Sequence, residues 1–109
     1  MSSPSEAVFQ ILLSLADEPR HGLGIAEEVE ARTEGRVRLG ASTLYTAIRR
    51  MHSDKWIEET SSSSDQDPRR RFYALTTAGR RVLETEAARL DSLVRDARGK
   101  AILPDQGTA

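Results

Sequence analysis

Apolar residues recur along this chain in two rhythms, and the switch between them outlines a fold. Val8, Ile11, Leu12 and Leu15 fall at i, i+3, i+4 and i+7, the single stripe of an amphipathic helix. Ser3-Pro4-Ser5-Glu6 ahead of it reads as a capping box with Pro4 at the first helical position, and Asp17-Glu18-Pro19 stops the helix. Gly22, Ile25, Ala26 and Val29 predict a second helix from about His21 to Arg32, with Gly35 punctuating its end. Val37 and Leu39 alternate with Arg36 and Arg38, which predicts a short extended segment. Gly40-Ala41-Ser42-Thr43, with Ser42 or a neighbour as N-cap, then opens a third helix that ends near Ser53-Asp54. Leu44, Ile48 and Met51 form its inner face, and Thr43, Thr46, Arg49 and Arg50 its outer one.

Downstream the rhythm changes. Trp56 and Ile57 begin a strand running to about Thr60, the turn-rich stretch Ser61 to Pro68 follows, and Arg69 to Leu75 reads as the return strand. Thr76 is the expected N-cap of a last helix, in which Leu83, Ala87, Leu90, Val94 and Ala97 recur with spacings of 4, 3, 4 and 3. Gly99 weakens this helix and Pro104 ends any continuation. The expected class is mainly α with a small β-hairpin: a winged helix-turn-helix over residues 1–75, a dimerisation helix over 76–102 and a flexible tail over 103–109.

Composition narrows the function. A chain of 109 residues that is 38% hydrophobic builds one domain with a small core, and such a subunit often leans on a partner. No cysteine is present, so disulfides, thiol chemistry and Cys-based zinc sites are excluded. The two histidines, His21 and His52, lack companions at metal-ligand spacing; His21 is expected to cap or pack at the entrance of the second helix, and His52 to gain from the third helix's dipole. No apolar run is long enough to span a bilayer and the first residues do not read as a secretory signal, so a cytoplasmic protein without membrane contact is expected. Neither a nucleophile–base pair nor a phosphate loop is visible, so no enzyme and no cofactor are expected.

The net charge of −1 hides a strong asymmetry. Residues 1–35 hold two basic groups against seven acids, residues 36–81 ten against five, and residues 82–109 four against five. A basic middle segment can bind a polyanion although the whole chain is slightly acidic. The order of elements puts that charge on the parts that would touch a duplex. Ser42, Thr43, Tyr45, Thr46, Arg49 and Arg50 lie on a helix suited to the major groove, and Arg69, Arg70 and Arg71 stand at the hairpin. Tyr45 serves equally as a phosphate donor or as a packed ring at the helix–wing junction, and Arg71 is the arginine of the three expected to point elsewhere. Val8, Ile11, Leu12, Leu15, Leu83, Ala87, Leu90, Val94 and Ala97 are the expected homodimer contacts. Trp56 is expected in the core at the base of the wing, with a ligand-lining role as the lesser reading.

Three segments carry a family resemblance. Gly40-Ala41-Ser42-Thr43-Leu44-Tyr45-Thr46-Ala47-Ile48-Arg49-Arg50-Met51 resembles the recognition helix of PadR-like transcriptional regulators, with its G-T-L-Y-P-x-L-x-x-L run. His21-Gly22-Leu23-Gly24-Ile25 is similar to that family's H-G-Y-x-I opening of the second helix. Arg70 to Gly79 is similar to its R-K-Y-Y-x-L-T-x-x-G element, although L-T-x-x-G also occurs in MarR-like regulators. The resemblance implies a homodimeric regulator, usually a repressor, that the short-tailed subgroup assembles through its first and last helices and that a small molecule releases from DNA. The last helix has no aromatic residue on which a planar drug could stack, so no such inducer is expected. Thr46 stands where the family usually has proline, Lys55 where it has glycine, and Trp56 where it has an aliphatic. The alternative is a winged-helix module whose basic face meets an acidic protein.

Overall fold

The computed structural model describes residues 3–61 and 71–104. Its elements run α1 (Glu6–Ser14), β1 (Arg20–His21), α2 (Gly22–Arg32), α3 (Ala41–Ser53), β2 (Ile57–Thr60), β3 (Phe72–Leu75) and α4 (Thr77–Gly99). The architecture is a winged helix-turn-helix followed by a long terminal helix.

Local chemistry explains most boundaries. Ser5, not Ser3, caps α1: its hydroxyl accepts the Val8 N–H at 3.2 Å. Pro4 therefore precedes the cap, and the Ser3 hydroxyl is free to bond Glu86 instead. The His21 imidazole caps α2 by accepting the Gly24 N–H at Nδ1, at 3.1 Å, and its ring meets Phe72 edge-on. Gly40 caps α3 without a side-chain bond, so Ser42 lies inside the first turn and is not the cap. Thr76 caps α4 as its sequence position predicts, accepting from Gly79 N–H at 3.0 Å.

Three helices end the same way. Lys55, at φ 64, donates to His52 O while Trp56 N–H reaches back to Met51 O at 2.9 Å. This is the Schellman closure, and glycine would occupy the left-handed position at least cost. Glu34 and Ala101 take the same conformation after α2 and α4. Gly35, at φ 79, follows one residue later and returns its N–H to Glu30 O.

The sheet has three antiparallel strands in the order β1-β3-β2, one more than a hairpin. Arg20 pairs with Tyr73 and His21 with Phe72, while Ile57 to Thr60 pair with Leu75 to Phe72. Val37 and Leu39 are half-buried between exposed Arg36 and Arg38, but that segment joins no strand. The sheet is what the first two helices lead into; the hairpin alone would leave β3 with an open edge.

Ile11, Leu12, Ile25, Val29, Ile48, Met51 and Ile57 are buried almost completely, joined by Leu15, Leu44, Tyr73 and Leu83. This one core spans α1, α2, α3, the wing and the start of α4. Leu83 thus ties the first turns of α4 to the winged helix, and the boundary expected at residue 76 runs through packed structure. The Arg32 guanidinium bridges α2 to α1 by donating to the Gln10 side chain, and to Glu28 Oε2 at 2.7 Å.

Where α4 crosses the wing the backbones nearly touch. A Cβ on Gly79 would lie 1.9 Å from Trp56 O, so only glycine fits there. Thr76 fastens the same seam: its N–H donates to Trp56 O at 3.0 Å and its hydroxyl to Lys55 O at 2.6 Å.

Candidate nucleic-acid interface

The recognition surface begins with the division of α3 into two faces. Leu44, Ile48 and Met51 enter the core. Every residue on the other side is exposed, in three rows set by the 3.6-residue turn. Ser42, Thr46, Arg49 and Ser53 form the outermost row. Thr43 and Arg50 flank it on one side, Tyr45 and His52 on the other.

Burying the inner row anchors α3 rigidly, so the outer hydroxyls and guanidiniums are carried at a fixed angle. Arg49 Nη2 leans on Thr46 Oγ1 at 3.4 Å, which aligns two members of the outermost row. Among the described residues, Arg49 and Arg50 take part in none of the ion pairs found. Tyr45 is 42% exposed, and its ring packs on α2 and not at the helix–wing junction: a Cβ on Gly22 would fall 2.4 Å from its hydroxyl oxygen. The ring therefore lies across the first turn of α2, and Gly22 is small because the ring is there.

The wing closes one flank. A notch of roughly 320 Å³ separates the last turns of α3 from the strands, bordered by Arg49, His52, Ser53, Glu59, Arg71 and Tyr73. Arg71 reaches Glu59 at 3.4 Å across the two strands. Burial raises the Tyr73 hydroxyl's pKa, and the Glu59 charge adds to that shift. Arg69, Arg70 and most of the Ser61 to Pro68 stretch lie outside the described residues. His52 and Ser53 border the same notch, at positions seven residues after Tyr45 and Thr46 on the exposed side of α3.

On the far flank, Trp56 is half-buried against the core, as expected. Its remaining surface borders a groove of roughly 230 Å³ with Arg50, Asp54 and the segment Ser3-Pro4-Ser5.

The expected dimer contacts divide sharply. Ile11, Leu12, Leu15 and Leu83 are buried in their own subunit and have no surface to offer. The α1 stripe serves the subunit core because α2 and α4 pack against α1. What α1 leaves half-buried is its other side: Phe9, Leu13 and Ala16, with Val8. On α4, Ala87 and Leu90 are exposed and Val94 and Ala97 half-buried, while Leu93, absent from the expected seam, is 52% exposed. Glu86 interrupts that helix's apolar face: it is buried, with its carboxylate on Arg89 Nη2 at 2.6 Å. That hydrogen bond holds the Glu86 carboxyl below its ordinary range, and the Ser3 hydroxyl adds to the effect.

Among the described residues no cluster of three metal-ligating side chains occurs, and no helix is long and apolar enough to cross a membrane.

Comparison with known proteins agrees with this geometry. A family model described as the transcriptional regulator PadR-like family matches residues 11–85. A protein of Streptomyces fradiae, described as an uncharacterized 37.1 kDa protein in transposon TN4556, is 36% identical over 83 residues. That match covers 76% of this chain but 22% of the relative, so the chain spans a minor part of that protein's length. An X-ray structure of a PadR-like transcription factor from Bacteroides fragilis is similar at a TM-score of 0.69 and 26% identity, covering 85% of this chain and 87% of that one. A PadR family transcription regulator from Clostridium difficile R20291 is similar at a TM-score of 0.67 and 25% identity, covering 85% and 97%.

Proposed function

The chain belongs to the PadR-like family of transcriptional regulators, and from that premise we propose that it is a repressor that binds double-stranded DNA as a two-fold homodimer. The observation that carries this reading is the clean division of α3, with Leu44, Ile48 and Met51 in the core and Ser42, Thr43, Thr46, Arg49 and Arg50 exposed opposite them. The outer face enters the major groove. Arg49 and Arg50 meet phosphates and base edges, and Tyr45 reaches a phosphate from the α2–α3 junction. The wing, with Arg69, Arg70 and Arg71, lies along the backbone beside it.

Dimerisation is supported by the apolar surface left over after the core is built. Leu90, Leu93, Val94 and Ala97 of α4, with Phe9, Leu13 and Ala16 of α1, form the seam between copies. A two-fold assembly implies a pseudo-palindromic operator with half-sites about one helical turn apart, roughly 34 Å. Six neutralised phosphates would give a log–log salt slope of about −5.

The test is a gel shift on the DNA upstream of its own gene, with excess competitor, beside sedimentation at micromolar concentration. A shift that survives competitor and disappears in the R49A/R50A variant, from a dimer that L90E/L93E dissociates, supports the reading. A monomer, or an unchanged shift in the arginine variant, contradicts it. Absence of any shift together with a pulled-down acidic protein would favour a protein-binding module.

A further inference from the structure

The notch beside the wing contains a carboxylate in a place where a duplex needs cations. Arg49 borders it from α3 and Arg71 from just before β3, while Glu59 on β2 forms an ion pair with Arg71 Nη1 at 3.4 Å. Glu59 sits opposite Tyr73 in the strand register, so β3 holds its backbone in place at the rim. Both partners of the pair are substantially exposed, at 75% and 47%. An ion pair this exposed is weak and exchanges readily for a stronger acceptor.

We propose that Glu59 stands in for a DNA phosphate in the free protein: it holds Arg71 at the notch until a backbone phosphate takes its place. The proposal rests on the DNA-binding reading above and concerns the same surface. A phosphate entering the notch is attracted by Arg49 and Arg71 and opposed by Glu59. Freeing Arg71 from an exposed ion pair of this kind lowers affinity by up to roughly fivefold. Glu59 therefore keeps Arg71 extended toward the notch and also lowers the affinity for every duplex alike, because a phosphate contact carries no base information.

The test is a double-mutant cycle on full-length protein, with affinity measured by fluorescence anisotropy on the upstream duplex and on a scrambled duplex. E59Q is expected to bind both duplexes up to roughly fivefold tighter, and in the R71A background the same change is expected to give no more than about twofold. Equal gains with and without Arg71 would overturn the exchange, leaving Glu59 as a simple repelling charge. A gain confined to the upstream duplex would overturn it too, since Glu59 would then be facing a base. If wild type binds and E59Q binds identically, this proposal fails while DNA binding stands. If neither binds any duplex, the DNA-binding reading fails with it. An unchanged urea midpoint for E59Q confirms that binding, not folding, is being compared.

Discussion

Replacing Gly79 with alanine probes the seam where α4 meets the wing. The new Cβ would lie 1.9 Å from the Trp56 carbonyl oxygen and 2.8 Å from its carbon. Both are backbone atoms, and Thr76 N–H holds that oxygen at 3.0 Å. Restoring an ordinary carbon–oxygen separation of about 3.3 Å requires the two elements to part by about 1.4 Å. Overpacking of that kind costs about 1–3 kcal/mol. Stretching the Thr76 bonds to Lys55 and Trp56 adds about 1 kcal/mol, and alanine's better helix propensity returns about 1 kcal/mol. The expected net loss is about 1–3 kcal/mol, a large share of a typical total of about 5–15 kcal/mol. In urea unfolding the midpoint should fall by about 1 M at unchanged slope. Gly99 is the internal control: it ends the same helix, and a Cβ there would meet nothing within 4 Å. G99A should raise stability by up to about 1 kcal/mol. If G79A is as stable as G99A, the close approach of α4 to Trp56 is not a feature of the protein.

Lys55 occupies a left-handed position at φ 64, so K55G should stabilise the fold by about 1 kcal/mol in the same urea assay, and a loss would contradict the Schellman closure. Hydrogen bonds from Arg32 and from Arg89 hold the carboxyls of Glu28 and Glu86 respectively below the ordinary carboxylate range. Folded pKa values below the unfolded ones mean that this stability is present above about pH 4.5 and is lost as pH falls through the folded values. Wild type should therefore lose more stability than E28Q/E86Q in urea midpoints taken from pH 7 to pH 3; parallel losses would assign acid sensitivity elsewhere. Arg49→Ala and Arg50→Ala should each reduce the salt slope of duplex binding by about one, measured by anisotropy over a salt series, whereas an unchanged slope would mean that the side chain meets no phosphate.

What the sequence made legible was local. The two faces of α3 follow from a 3.6-residue period that needs no tertiary information, and the Thr76 cap follows from one hydroxyl three residues ahead of Gly79. What it hid was decided by partners far along the chain. β1 is two residues long, and Arg20-His21 becomes a strand only because Phe72 and Tyr73 lie alongside. The capping box points to Ser3 as the first cap, and only the fold shows Ser5 in that place and the Ser3 hydroxyl on Glu86, 83 positions later. The stripe of Ile11, Leu12 and Leu15 announces a helix face but not its destination, which proved to be the subunit's own core. No local pattern marks Glu86, and only the fold shows it buried with its carboxylate on Arg89. The apolar surface left outside the core includes Phe9, Leu13 and Leu93, none of which belongs to the predicted stripes.

Amide hydrogen exchange of the protein with and without its upstream duplex tests the central claim most directly. Residues 41–53 and the strands Ile57–Thr60 and Phe72–Leu75 should gain protection together in the complex, while α4 beyond Glu86 exchanges as slowly in the free protein as in the complex. Protection that appears on α2 or along α4 instead, with the exposed face of α3 exchanging unchanged, would contradict a duplex seated between the recognition helix and the wing.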